Sequence, residues 1–197
     1  MEARRMLSAL VIRNIGDLEA AMSHATEVID DRLHEESMAI LERSLAKADW
    51  HCAFGEGFTD DWFAPKEWMI AEDDADLWFR LTARDTESTS SWLAMFVGEA
   101  PEEARMSILL QSNAKKKAIK QILADPEIQT ALRESGLRNN GAAVWLPIEI
   151  NAELLAAGFE NDDLDDALAP IAVAAEMVSK ARPGLDLLRD RLRGLDE

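Results

Sequence analysis

Residues 18 to 48 contain neither proline nor glycine, and apolar side chains recur through them at helical spacing. Leu18, Met22, Ala25, Val28, Ile29 and Leu33 begin the series, and Ile40, Leu41, Leu45 and Ala48 complete it. Asp17 stands where an N-cap is expected. A continuous helix over 18–48 would be about 46 Å long at 1.5 Å per residue. That exceeds the width of a small domain, so one end must project, bend or pair with a second copy. The spacing is not a sustained a/d heptad, so the span does not read as a coiled coil.

The texture then changes. "WMIA", "DLWFRLTAR", "SWLAMFV" and "ARMSILLQ" are short apolar runs separated by polar or proline-containing links. In the second, Leu77, Phe79, Leu81 and Ala83 alternate with Trp78, Arg80, Thr82 and Arg84, the period of a half-exposed strand. These runs are read as antiparallel strands over 66–111, with hairpin links at 85–91 and 98–104. Helical spacing returns over 113–135, where Asp125 and Pro126 form a cap and an N1 proline. A further strand is expected over 142–150, followed by C-terminal helices over 162–193. Those helices carry an expected kink at Pro170 and a break at Pro183-Gly184.

The order predicts a single α+β domain over 1–197. A long N-terminal helix precedes a small, mainly antiparallel sheet of four or five strands, with helices packed on one face.

Charge bounds the partners. Lys and Arg number 21 against 38 Asp and Glu, a formal net charge of −17. Such a surface repels nucleic acid and anionic membrane, and it attracts basic proteins. The distribution is uneven: residues 105–138 hold seven basic and three acidic side chains and carry +4, leaving −21 elsewhere. The apolar run over 6–12 is too short for a membrane span, and no small-residue cleavage site follows it. A lone cysteine forms no internal disulfide, so a cytoplasmic location is expected.

Several stretches invite chemical readings. In "HCAFGEGFTDDWFAPKEW", residues 51–68, His51 and Cys52 are adjacent and lack a second ligand pair for zinc. The glycines do not match a phosphate-binding loop, and the segment reads as a turn packed by Trp62, Phe63 and Trp68. "HEESM" lacks the second histidine of a zinc-protease helix, which leaves His34 on the solvent side. "ENDDLDDAL" lacks the glycine and glutamate of a calcium loop, and Asn161 or Asp162 reads as an N-cap.

Asp73, Asp74 and Asp76 offer carboxylates for a divalent metal in a hydrolase- or nuclease-like domain. No (D/E)-x-K strand accompanies them, and turn chemistry competes. Lys115, Lys116, Lys117 and Lys120 open a helix whose dipole they oppose, so they pair with acids of this chain or of another copy, lie solvated, or bind an anionic ligand. Trp78 and Trp92 form a partner platform if the sheet face is open, pairing across strands, and core if the long helix covers it. No constellation carries the reagents of an enzyme, and no cofactor is implied. The chain reads as a noncatalytic adaptor or chaperone-like binding module, homodimeric, with a basic protein as partner. The alternatives are the metal-dependent domain and an acidic nucleic-acid mimic.

Overall fold

The computed structural model describes residues 2–55, 60–85 and 90–196. Helices α1 (Glu2–Arg13) and α2 (Ile15–His24) lead through a π-helical turn, Ala25–Ile29, into α3 (Asp30–Leu45). The long helix therefore exists, but it starts at Ile15 after Asn14, not after an Asp17 cap. In an unbroken α-helix, Leu18, Met22 and Ala25 would sit about a third of a turn away from the stripe of Leu33, Leu41 and Leu45. The π turn holds one extra residue and brings the two stripes back to one side. Leu33, Leu41 and Leu45 are fully buried, whereas α2 buries nothing.

Strands β1 (Trp50–Ala53), β2 (Trp62–Pro65), β5 (Leu77–Ala83), β6 (Met106–Ser112), β7 (Arg138–Asn139) and β8 (Val144–Pro147) form one antiparallel sheet. Its order is β1-β2-β5-β6-β8-β7. The short strands β3 (Met69–Ala71) and β4 (Asp74–Ala75) form a separate hairpin. Alternation in β5 is as expected: Leu77, Phe79, Leu81 and Ala83 are buried and the residues between them half-buried. The register sets Phe79 against Leu110 and Leu81 against Ile108, so β6 presents the same buried face.

That face meets the helices. Helices α5 (Lys116–Leu123), α6 (Pro126–Glu134), α7 (Ala152–Asn161), α8 (Asp165–Lys180) and α9 (Arg182–Asp196) complete the helical layer. One continuous core joins Leu41 of α3, Phe79 of β5, Leu168 of α8 and Leu188 of α9. The fold is α+β, a mainly antiparallel sheet with packed helices. Among the described residues, no helix is long and apolar enough to cross a membrane.

Two further local expectations are corrected. "SWLAMFV" is not a strand but a short helix, α4 (Trp92–Phe96), because Ser91 Oγ accepts from Ala94 N while the Asp30 carboxylate accepts from Trp92 N and Leu93 N. Most of the link expected at 85–91 lies outside the described residues. Asp162 is no N-cap: it closes α7 in the left-handed conformation at φ 58°, which Asp tolerates better than most residues. Helix α8 runs through Pro170. The carbonyl that Pro170 cannot bond belongs to Asp166, an exposed residue within reach of water.

Candidate functional site

Strand alternation gives the sheet a second face, turned away from the helical core. Trp62, Trp78, Arg80 and Trp145 lie on it, all half-buried. Near the β2 edge of this face is a cleft of about 380 Å³ lined by Asp60, Trp62, Asp73, Asp74, Trp78 and Arg80, with Ala75 and Asn113. Each wall has a local origin. Trp62 and Trp78 point outward because Phe63 and Phe79, their neighbours in sequence, pair across β2 and β5 on the core side. Asp73 comes from the turn of the β3–β4 hairpin, where aspartate satisfies turn geometry, and Asp74 opens β4.

The cleft gathers two of the three candidate carboxylates and one of the two candidate tryptophans. Asp76 is directed elsewhere: it accepts from Arg193 Nε of α9 at 2.8 Å. Trp92 cannot pair with Trp78 across strands, because it lies on α4, edge-on to His34 at 5.2 Å and to Phe96 at 5.7 Å. The clustered tryptophans thus divide, with Trp50 and Trp68 in the core and Trp62 and Trp78 on the outer sheet face. Arg80 also enters the cleft and donates from Nε to the Asp61 carbonyl at 3.1 Å. Among the described residues, no group of three His, Cys, Asp or Glu side chains is arranged to hold a metal ion.

His34 corrects a further expectation. It is buried rather than solvent-facing, and its Nε2 is hydrogen-bonded to the Asp61 carboxylate. The other oxygen of that carboxylate accepts from Gly55 N at 2.8 Å. The segment from His51 to Trp68 is therefore tied down by Asp61, Phe63 and Trp68, although residues 56–59 lie outside the described set. His51 and Cys52 point to opposite faces of β1. His51 packs on Trp62 at 5.1 Å, and burial pushes the Cys52 thiol up to about 11, reinforced by the Glu42 carboxylate. A protonated, half-buried thiol is a poor nucleophile.

Lys115 precedes α5, and Lys116, Lys117 and Lys120 lie on it. Pairing with the protein's own acids is not realised: none of the seven basic residues between 105 and 138 makes an ion pair among the described residues. Lys116 instead stands at a mainly apolar cavity of about 220 Å³ between β6, α5 and α9. Arg84 lies over the Trp145 ring at 4.3 Å, a cation–π contact that sequence spacing does not disclose. Sequence spacing does not link the cleft residues Asp60, Trp62 and Arg80, since only strand pairing brings them together. The chain matches no protein-family model, no curated protein and no solved structure.

Proposed function

We propose that the chain is a noncatalytic, cytoplasmic protein-binding module that works as a homodimer and engages a basic protein partner. The observation that carries this reading is the cleft where half-buried Trp62 and Trp78 stand beside Asp60, Asp73 and Asp74. Indole faces attract cations, and carboxylates at the rim add a charge partner for an ammonium or guanidinium group. Aromatic anchors of this kind dominate many protein interfaces. The net charge of −17 favours encounter with a basic partner over an acidic one.

The test is a titration with an octalysine peptide, followed by tryptophan fluorescence at physiological ionic strength. The reading requires saturable binding that is lost in Trp78→Ala and weakened in Asp73→Asn/Asp74→Asn. Binding that ignores Trp78→Ala is diffuse attraction to an acidic surface and sinks the reading, as does no binding at all.

A further inference from the structure

Nine of the twelve exposed large hydrophobic side chains among the described residues lie between Met6 and Val28, on the N-terminal arm formed by α1, α2 and the π turn. Val11, Ile15, Leu18, Met22 and Ala25 recur at intervals of four, three, four and three, the rhythm of a coiled-coil seam. Leu7 and Leu10 widen its start. The four large members of the seam are between 37% and 58% exposed, so this chain's own core uses none of them. Leu7, Leu10 and the four large seam members thus run along one side of the arm with nothing of this chain over them, and a lone monomer seldom leaves a contiguous apolar patch open.

Charge selects the occupant. Over residues 2–14 the arm carries Arg4, Arg5 and Arg13 against Glu2, and over 15–29 it carries Asp17, Glu19 and Glu27 with no lysine or arginine. Among the described residues, none of these three arginines makes an ion pair. A surface of one sign attracts one half of such an arm and repels the other, which disfavours an anionic membrane. A second copy running in the opposite direction matches both halves, basic against acidic. A parallel copy would stack Arg4 and Arg5 on their equivalents, and Asp17 and Glu19 on theirs.

We infer that the arm is the interface with a second copy of this chain, and that the two arms pair antiparallel. Val11 then lies opposite Met22 of the partner and Ile15 opposite Leu18, with Arg4 and Arg5 beside the Glu27 end of the arm. The inference rests on the homodimeric part of the proposed function and names its geometry.

The experiment uses the full chain with Cys52→Ala, carrying either Ser8→Cys or Ala25→Cys, two positions that continue the seam at either end. Light scattering should report twice the monomer mass, and Leu18→Glu should return it to one. On oxidation, an equal mixture of the two cysteine variants should form a cross-linked dimer, while each alone should form little. A dimer that cross-links through each variant alone is parallel, which overturns the geometry and leaves the homodimer standing. A monomer at tens of micromolar overturns both, as does arm-dependent binding to anionic vesicles by a monomeric chain. The octalysine titration still judges the binding module separately. Circular dichroism of Leu18→Glu guards against loss of fold, since Leu18 lies outside the core.

Discussion

His34 and Asp61, 27 residues apart, are hydrogen-bonded to each other inside the protein, joining α3 to the segment that enters β2. Both are buried. Asp61→Ala should destabilise the fold by about 1–3 kcal/mol, because the buried carboxylate's hydrogen bonds with His34 Nε2 and Gly55 N are both lost. Lys66→Ala, which breaks an exposed pair with Asp49, should cost about 1 kcal/mol or less. Urea denaturation of the two variants checks the contrast, and equal costs would contradict a buried clip.

Asp30 holds α4 by a longer-range version of helix capping. Its two carboxylate oxygens accept from Trp92 N at 2.9 Å and Leu93 N at 2.8 Å. Asp30→Ala should cost about 0.5–2 kcal/mol, the range for losing a cap. Burial raises the Asp30 carboxyl above its usual 3.8, although the bonds from Leu93 and Trp92 pull it down. With the folded value above the unfolded one, the contribution of this group to stability is greatest in acid. It declines as the pH rises from 3.8 through the folded value. An NMR titration of the Asp30 carboxyl carbon reads the direction.

Cys52 should be slow to alkylate. At pH 8 the folded thiol, pushed up to about 11, holds far less thiolate than an unfolded cysteine near 9.0. Iodoacetamide should modify the native chain much more slowly than the same chain in urea. The same shift makes stability fall as the pH climbs from 9 to 11, because only the unfolded chain releases the proton easily there. Cys52→Ala should flatten that decline.

Gly158 lies near the end of α7, where a Cβ would come within 2.6 Å of the Asp163 carbonyl oxygen and 2.9 Å of a Leu164 methyl. The same turn needs Asp163 N to donate to Gly158 O at 2.9 Å. Gly158→Ala should therefore destabilise by about 1–3 kcal/mol, the cost of overpacking. Gly141→Ala meets no atom within 4 Å, so only its positive φ of 79° should tell against it. Thermal melts of both variants separate steric from conformational cost.

Legibility followed the length and regularity of each pattern. The seven-residue alternation of β5 and the Asp125-Pro126 start of α6 are legible from local signals alone. Strands β1 and β2, of four residues each, show too little of any period to be recognised. Helix α7 falls outside every expected element although Asn151 caps it through Leu154 N, a signal present in the sequence. The run from Trp92 to Phe96 misled because a short apolar segment fits either period. The Asp30 carboxylate, 62 residues away, decides for helix.

By itself the sequence determined the α+β class, the long arm-bearing helix and the acidic field, because periodicity and charge are properties of neighbouring residues. Tertiary structure decided which of the marked residues meet. Asp73, Asp74 and Trp78 share a cleft, while Asp76 turns to Arg193 and Trp92 to His34. The reason is physical: strand register and helix docking bring together side chains far apart in the chain, and no local pattern encodes those distances.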